Sequence, residues 1–480
     1  MKLHWISEEA RKWWTLAAVA FGLFMIMLDN TVVNVALPSI AADLEVGLSE
    51  LEWIVTGYAL TFASLMLTGG KLADLLGRRL IFVLGLTIFT ASSLACGLAG
   101  SGELLIGARV VQGAGAALMN PATLSIIAAT FPPRQRGTAI GIWAGVSALA
   151  LAIGPLVGGL LTEHISWSWI FFVNVPIGVV AIIASFLLIP ESRDQSLEQR
   201  LDLPGLVASG IGLFSLTYGL IEANTYGWTS ARILSAFAVA VVMLVAFVLL
   251  ERHQRIPMLD LSLFKNGTFT GANLAVLLVA LAMFGVFFFI SLYMQGVLGY
   301  SAVQAGAAFL PMTVLIMLVA PIAGRSTDRF GSRWLITIGM ILLAGQLLYF
   351  SRLGVEESYW TLFPAMVIGG FGMAMVMTPT AAAAVRALPV DKSGVGSAVL
   401  NAFRQVGGSI GIALMGAIMA HRVGDVQGPA VFRDKQLFVD ALSTTLTVAA
   451  LIAVLGAVVA FVLVRAHDTG PATEGVPEIA

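Results

Sequence analysis

The chain has 480 residues, of which 58% are hydrophobic and only 11% are charged. A soluble domain carries about 25% charged residues, so this composition excludes a soluble globular protein and indicates one that crosses a membrane several times. The formal net charge of −1 gives no reason to expect nucleic acid as a partner. The single cysteine, Cys96, excludes an intramolecular disulfide, and the five histidines lie in loops, tails or span ends. We therefore expect no metal site and no cofactor.

Fourteen windows of about 20 mainly apolar residues follow one another along the chain. Backbone polar groups in lipid must be satisfied within their own segment, so each window is predicted to be a helix rather than a barrel strand. The first window is too long for the apolar core of a cleaved signal peptide, and we expect it to insert uncleaved. The windows are residues 13–37, 51–70, 80–100, 103–127, 138–162, 168–189, 203–222, 231–250, 269–293, 304–323, 335–351, 359–384, 394–420 and 440–465.

The distribution of basic residues orients these spans. With both termini in the cytoplasm, 19 of the 26 lysines and arginines fall in cytoplasmic segments and five fall in outer loops. The remaining two, Arg109 and Arg404, lie within spans. Cytoplasmic loops of membrane proteins carry an excess of Lys and Arg. We therefore predict a multi-pass protein of the plasma (inner) membrane with an even number of spans and both termini cytoplasmic.

An internal repeat divides the chain. The segment GKLADLLGRR at residues 70–79 recurs in outline as GRSTDRFGSR at 324–333, an offset of 254, and two further glycines recur at an offset of 257. We infer two related six-helix bundles at 1–190 and 266–466, an inserted helix pair at 191–265, and a flexible tail at 467–480. Two like-oriented six-helix halves are the plan of major facilitator transporters, whose substrate site lies between the halves near the bilayer midplane.

Two charges stand out because they lie inside predicted spans. Asp29 and Arg109 lie about 13 Å and 9 Å from the outer ends of their helices, at about 1.5 Å per residue. A charge at such depth costs about 2.5–3.5 kcal/mol on insertion scales, so it usually has a function. We expect the two to be the only buried acid and base of the first half and to handle protons, because the repeat places Met283 and about Met366 at the equivalent positions. The alternative is a static ion pair that fixes helix packing.

Polar residues extend this feature along the fourth span. Arg109, Gln112, Ala116 and Asn120 share one face of a helix. We expect this face, with Gln112 and Asn120, to line the substrate cavity. The alternative is that these side chains form hydrogen bonds between helices.

Five blocks make the sequence resemble the fourteen-span drug:proton antiporter family of the major facilitator superfamily. They are LDNTVVNVALP at 28–38, GKLADLLGRR at 70–79, RVVQGAG at 109–115, GPLVGG at 154–159 and NAFRQVGG at 401–408. Two departures from the family pattern are Ala150, where glycine is usual, and Ser168, where arginine is usual.

The resemblance implies gating roles. It implies that Gly154 and Pro155 bend the fifth helix and seal the cavity, although close helix packing is a second reading of this motif. It also implies a cytoplasmic gate at Asp74 and Arg78, with Asp74 docking on a helix N-terminus in the outward-facing state. The positive-inside bias alone is a second reading for Arg78, but it does not explain why Asp74 recurs as Asp328. The candidate helix begins near Gly394.

Several further residues are candidates with open alternatives. Glu222 is either a second proton-coupling acid or a solvated residue at a span end, and Arg404 either gates or extends toward the interface. Asn34, in the first-helix block, is a cavity candidate. Aromatic and Met side chains on the ninth span make adaptable apolar contacts suited to varied ligands, or they simply face lipid; the pocket candidates among them are Phe284, Phe288 and Met294.

These observations predict a secondary active transporter, not an enzyme, that exports amphipathic and cationic drugs in exchange for protons. Its predicted partners are lipophilic or cationic small molecules, protons and membrane lipid. The alternative is an exporter of one specific metabolite with the same fold. An ATP-driven pump is disfavoured because the sequence around Gly69, Gly70 and Lys71 lacks the rest of a P-loop. A channel is disfavoured by the two-half repeat.

Overall fold

The computed structural model describes residues 8–193, 202–254, 257, 259–388, 393–423 and 434–465. The predicted tail at 467–480 lies outside this range. Within the described residues the regular structure is helical, with one 3-10 turn at Leu261–Lys265 and one π turn at Tyr293–Val297. The α-helices are α1 (Glu8–Asp43), α2 (Leu48–Leu76), α3 (Arg78–Gly97), α4 (Gly102–Thr130), α5 (Pro133–His164), α6 (Trp169–Phe172), α7 (Asn174–Leu188), α8 (Leu203–Tyr226), α9 (Ala231–His253), α10 (Gly267–Leu292), α11 (Ala302–Ala308), α12 (Leu310–Phe330), α13 (Ser332–Phe350), α14 (Tyr359–Arg386), α15 (Ser393–Val423) and α16 (Lys435–Leu463).

Local sequence signals explain where many of these helices begin. Six helices start at a polar residue whose side chain accepts a hydrogen bond from a backbone N–H of the first turn, which satisfies one of the donors that a helix start leaves unpaired. These capping residues are Ser101, Asp202, Ser230, Asn266, Ser301 and Asp434.

By length and composition, twelve helical segments in the described part of the chain could cross a membrane. The number is thirteen if Leu48–Met66 and Thr68–Leu76, which meet at 49°, form one span. α5 has 32 residues and contains the predicted span 138–162. At about 1.5 Å per residue it is about 48 Å long, enough for a further crossing. The fold is thus an all-helical, multi-pass membrane architecture, and the count of fourteen spans stays a prediction.

The internal repeat has a structural counterpart in helix packing. A side chain at Gly85 of α3 would collide with the carbonyl oxygen of Gly115 on α4. A side chain at Gly339 of α13 would collide in the same way with the carbonyl oxygen of Gly372 on α14. These pairs lie at the sequence offsets of 254 and 257. Small residues let helices approach closely in membranes, so the same close contact is built twice.

The turn that joins the second and third helix of each half is also repeated. Gly77 and Gly331 have positive φ angles of 127° and 79°, a region that glycine enters without steric cost. Two residues later, Arg79 donates to the carbonyl oxygen of Ile189 at 3.2 Å, and Arg333 donates to that of Val464 at 2.8 Å. In both halves an arginine therefore ties the start of the third helix to the end of the last.

Helices α8 and α9 form a hairpin outside these repeated contacts. α8 packs on α9, α2 and α15, and α9 leaves most of its residues exposed. The base of the hairpin is tied by Asp202, which accepts hydrogen bonds from Gly205 N at 2.8 Å and Gln254 Nε2 at 2.7 Å. At the other end Asn224 donates to the carbonyl oxygen of Ala417 on α15 at 2.8 Å.

The two halves are joined at one end of the molecule. We call the end at which α1 ends and α2 begins the closed end, and the opposite end, where Gly77 lies, the basic end. At the closed end Ser291 Oγ donates to the carbonyl oxygen of Asn34 at 2.8 Å, and Gln295 Nε2 donates to that of Val35 at 2.9 Å. These bonds link α1 to α10 and to the π turn that follows it.

Candidate functional site

Asp29 and Arg109 form an ion pair inside the first half. Asp29 lies in the middle of α1 and Arg109 in the first third of α4. Arg109 Nη1 donates to Asp29 Oδ2 at 2.5 Å, and the side chains are 0% and 1% exposed. Charge-assisted hydrogen bonds of this kind are stronger than neutral ones. The structure therefore brings together the two charges that the sequence singles out.

Gln112 is the third member of the site and bonds to both charges. Its Oε1 accepts from Arg109 Nη1 at 2.6 Å, and its Nε2 donates to Asp29 Oδ1 at 3.0 Å. Nε2 also donates to Ser93 Oγ on α3 at 2.8 Å, and Cys96 Sγ lies 3.7 Å from Oε1. An amide side chain offers two donors and two acceptor positions. Gln112 uses all four, so its orientation is fixed from four sides.

The Arg109 guanidinium has further partners on α2. Its Nε donates to the carbonyl oxygen of Ile54 at 3.0 Å, and its Cζ lies 4.2 Å from the centre of the Tyr58 ring. The ring of Phe171 lies on another side at 5.7 Å. A cation over an aromatic face is stabilised by the ring quadrupole, more so without water. The buried hydroxyl of Tyr58 has no hydrogen-bond partner among the residues that the structure describes, which leaves one polar group free beside the ion pair.

The polar stripe of α4 faces the interior of the first half in this conformation. Gln112, Ala116 and Asn120 are all buried, and Gln112 forms the interhelical hydrogen bonds that the alternative interpretation predicts. Asn34 is half-buried, and its backbone accepts the hydrogen bond from Ser291 at the junction with α10. Whether these side chains contact substrate stays a prediction.

A second buried acid, Glu52, contradicts the expectation that Asp29 is the only one of the first half. Glu52 lies in the second turn of α2 and is 2% exposed. The window 51–70 includes it, but a charge so near a span end is usually solvated. The sequence offered one signal for a buried acid here, namely that Glu52 lies just inside the predicted span. Glu52 is buried because α15 packs over it.

Glu222 is bonded to the first half rather than free in solvent. This half-buried carboxylate on α8 accepts hydrogen bonds from Ser49 Oγ at 3.2 Å and from Trp53 Nε1 at 3.0 Å. Both donors lie in the first two turns of α2. Glu222 therefore links the α8–α9 hairpin to the closed end, and its bonding partners lie on α2, the helix that carries Glu52.

The predicted gate residues Asp74 and Arg78 pair with each other at the basic end. Arg78 Nε and Nη2 both donate to Asp74 Oδ1 at 3.0 Å. The side chains are 32% and 21% exposed. The backbone N–H of Arg78 also donates to the carbonyl oxygen of Ser192, in the segment after α7. In this conformation Asp74 is therefore bound by Arg78 of the same sequence block. The helix on which it is predicted to dock, α15, begins at Ser393, next to the predicted start at Gly394.

The glycines of the α5 motif lie where three helices meet. A side chain at Gly154 would collide with Thr31 of α1, and one at Gly159 would collide with the backbone of α11 at Ala302. Pro155 lies inside the continuous helix α5, and Gly306 of α11 approaches its carbonyl oxygen closely. The motif therefore forms the close contact between the two halves near the closed end. This is compatible with both the sealing and the packing interpretation.

Arg404 lies on a stretch of α15 with several unpaired polar atoms. Its side chain is half-buried, and within the described ranges its Nε has no hydrogen-bond partner. The same holds for Gln405 Nε2 and for Ser409 Oγ, the latter little more than one turn away. Unpaired buried donors are costly and rare in proteins. This segment is thus a candidate for contact with a ligand or for a change of partners between conformations.

The aromatic candidates of α10 differ in exposure. Phe288 is fully buried and packs edge-to-face on Phe289 at 4.8 Å between ring centres. Met294 is fully buried in the π turn. Phe284 is half-buried and packs on Gly408 of α15, so it is the most accessible of the three.

Comparison with known proteins agrees with this architecture. The sequence matches the family model of the Major Facilitator Superfamily over residues 19–412 and 272–478. It is 37% identical over 418 residues to the tetracenomycin C resistance and export protein of Streptomyces glaucescens, covering 87% of this chain and 78% of that protein. It is 34% identical over 427 residues to the multidrug transporter protein MdtP of Bacillus subtilis, covering 89% of this chain and 79% of that protein.

A solved structure shares the fold at lower identity. A bacterial homolog of the human lysosomal transporter Spinster, in an inward-facing and unoccupied conformation, aligns with a TM-score of 0.66 and 18% identity over 95% of this chain and 97% of that chain. Family match, fold and repeated glycine contacts agree, and the chain belongs to the major facilitator superfamily of multi-pass membrane transporters.

Proposed function

We propose that this protein is a secondary active transporter that exports lipophilic or cationic drugs in exchange for protons, and that it belongs to the fourteen-span drug:proton antiporters. The observation that carries the proposal is the buried Asp29–Arg109 pair with Gln112 bonded to both. The second half has buried Met283 and Met366 at the equivalent places. Because methionine fills these places in a related bundle, packing alone does not require an ion pair there.

The relatives support the substrate class. The Streptomyces protein is named for resistance to and export of tetracenomycin C, and the Bacillus protein is named as a multidrug transporter. Export of drugs by proteins that align over most of this chain makes drug export the best supported activity here.

The basic residues support the orientation. The excess of 19 lysines and arginines on one side over five on the other assigns the basic end to the cytoplasm under the positive-inside rule. The closed end then faces outward, so the conformation described here is closed on its outer side. The proposed transport unit consists of the halves 1–190 and 266–466, with 191–265 as an insert.

The proton-coupling step follows from the charges. In the conformation described here the Asp29 carboxylate is ion-paired with Arg109. When a proton binds the Asp29 carboxylate in the outward-facing conformation, the carboxyl becomes neutral and the ion pair with Arg109 is lost. Arg109 then stays a buried cation held by Gln112 and by the Ile54 carbonyl oxygen. Its charge favours release of the proton once a route to the cytoplasm opens.

The gates act at the two ends of this cycle. At the basic end Asp74 leaves Arg78 in the outward-facing state and docks at the N-terminus of α15, where an anion is favoured by about 0.3–1 kcal/mol. At the closed end the contact of Gly154, Pro155 and Gly159 with α1 and α11 must separate. Arg404 on α15 lies between these ends. Its Nε is unpaired among the described residues, so it can donate to different partners in different conformations.

Transport by purified protein in proteoliposomes tests the proposal. Wild-type protein should exchange an exported drug for protons under an imposed pH gradient, with proton movement followed by a pH-sensitive dye. Asp29→Asn should lose gradient-driven exchange because a neutral amide cannot titrate. Asp440→Asn, at an exposed site on α16, is the matched control and should keep it. Wild-type exchange by Asp29→Asn protein would refute the assignment of Asp29.

The second candidate is export of one specific metabolite by the same mechanism. It is favoured by the full burial of Phe288 and Met294, which leaves Phe284 as the accessible aromatic side chain of the candidate set. A panel of structurally unrelated drugs separates the two: stabilisation against thermal unfolding by several of them supports multidrug export, and stabilisation by one compound class supports the alternative.

A further inference from the structure

Glu52 occupies an unusual place for a carboxyl group. It lies in the second turn of α2, 2% exposed, where this helix packs on α15 across the junction of the two halves. Its carboxyl group lies against Gly416 of α15, and a side chain at Gly416 would collide with it. The close approach of α2 and α15 at the closed end thus encloses an acid.

No cation compensates this acid in the part of the chain that the structure describes. The Glu52 carboxyl forms no hydrogen bond or ion pair there. The charged group that acts on it is Glu222 of α8, a like charge. Arg109 of α4 reaches α2 at the carbonyl oxygen of Ile54 and is paired with Asp29. On α2 itself Glu50 is half-buried and accepts a hydrogen bond from Gly47 N at 2.9 Å. The titratable groups near this end of α1, α4 and α15 are solvent-exposed: Asp43, Glu103, His421 and Arg422.

The packing therefore depends on the charge of Glu52. Enclosing an ionised carboxylate without a partner is strongly unfavourable, whereas a protonated carboxyl is tolerated as an ordinary polar group. If α2 and α15 separate, water reaches Glu52 and the ionised form is no longer penalised. The closed end is then stable with neutral Glu52 and unstable with charged Glu52.

We propose that Glu52 is a second proton-binding site, separate from Asp29, and that its protonation from the outer side allows α2 and α15 to close this end of the transporter. The proposal rests on the proposed function only for the direction of transport. In the antiport cycle a proton taken up by Glu52 in the outward-facing state would favour the return to the inward-facing state. Glu222 strengthens the effect because a second negative charge beside an ionised Glu52 further opposes closure.

A distance measurement across the closed end tests this without any transport. Spin labels at Glu103→Cys on α4 and Gln436→Cys on α16, both exposed, report separation of the halves by pulsed electron resonance in nanodiscs. The buried Cys96 can stay in place. An Asp29→Asn background removes titration of the first proton site. The open fraction should rise as the pH is raised, and Glu52→Gln should abolish this rise and stay closed, because glutamine is a neutral isostere.

Two further variants sharpen the test. Glu222→Gln should move the midpoint of opening to higher pH, since it removes the like charge. Glu52→Asp keeps an ionisable group and should keep a pH-dependent distance. A distance that changes with pH as much in Glu52→Gln as in its parent would overturn the proposal. Because the readout is a distance, that failure is distinguishable from a failure of drug–proton exchange in proteoliposomes.

Discussion

The carboxylate of Glu163, in the last turn of α5, accepts a hydrogen bond from the backbone N–H of Val303 in the first turn of α11, with 2.9 Å between N and Oε2. This bond joins the two halves at the closed end. The hydroxyl of Ser301 and this N–H together hold the pKa of Glu163 below its ordinary value. Glu163 therefore stabilises the junction as an anion at a helix N-terminus.

The sign of this shift predicts an acid-sensitive contact. A lowered pKa means that the contribution of Glu163 is present at neutral pH and is lost as the pH falls through its shifted pKa, which lies below the ordinary value of a glutamate. The spin-label distance across the closed end should therefore grow in this acid range. Glu163→Gln should remove that acid response, and Glu356→Gln, at an exposed site in a loop of the same end, should not. The proposed effect of Glu52 has the opposite sign, because its protonation favours closure, so the two responses can be told apart.

Replacement of Gln112 tests the bridge between the charges. Gln112→Leu keeps the approximate volume but leaves Ser93 and one Asp29 oxygen without their donor, which should lower the free energy of unfolding by about 1–3 kcal/mol. Drug–proton exchange should slow by about tenfold for each 1.4 kcal/mol by which the variant destabilises the Asp29–Arg109–Gln112 arrangement used in coupling. Cys96→Ala, which removes only the weak 3.7 Å contact with Gln112, should keep near-normal exchange and stability. Equal behaviour of both variants would remove Gln112 from the coupling site.

Two glycines of α5 form a matched pair. Gly154→Ala would push a methyl group into Thr31, and overpacking of this kind costs about 1–3 kcal/mol. Gly145→Ala should be tolerated, because nothing lies within 4 Å of the added carbon atom. Thermal unfolding in detergent and the spin-label distance are the measurements. If Gly154→Ala lowers stability without changing the distance, the motif serves packing; if it also opens the closed end, the motif seals the cavity.

A charge exchange separates two roles of Asp74. Asp74→Asn should leave folding intact and slow transport, since docking at α15 is lost. The double variant Asp74→Arg with Arg78→Asp keeps an ion pair between positions i and i+4 of the helix. It places a cation where docking at the start of α15 needs an anion. Drug efflux should therefore stay slow in the double variant. Recovery of the wild-type rate would show that the pair with Arg78 is all that Asp74 provides.

Labelling of cysteines checks the orientation. Arg193→Cys follows α7 at the basic end, and Glu103→Cys lies at the closed end; both sites are exposed. A membrane-impermeant maleimide added to intact cells should label Glu103→Cys and reach Arg193→Cys only after permeabilisation. The reverse pattern would invert the topology and contradict the assignment of the basic end to the cytoplasm.

The sequence by itself determined the class of the protein, its repeat and its central ion pair. Hydropathy and helical period are local properties, so the spans could be located from short windows. The charges at Asp29 and Arg109 could be related to each other because each lies deep inside its span. At that depth a charged side chain has few partners other than a charge of opposite sign. The repeated glycines at 115 and 372 are recognisable because close helix approach requires small residues in both copies.

Only the tertiary structure decided which residues near the span ends are buried. Glu52 and Glu222 have the sequence context of solvated residues at the edge of a membrane. Glu52 is enclosed because α15, more than 300 residues later in the chain, brings Gly416 against it. Likewise Gln112 bonds four side chains from three helices because α1, α3 and α4 converge there. Such contacts form between helices that are far apart along the chain. A short window of sequence does not show which distant helix will pack against it.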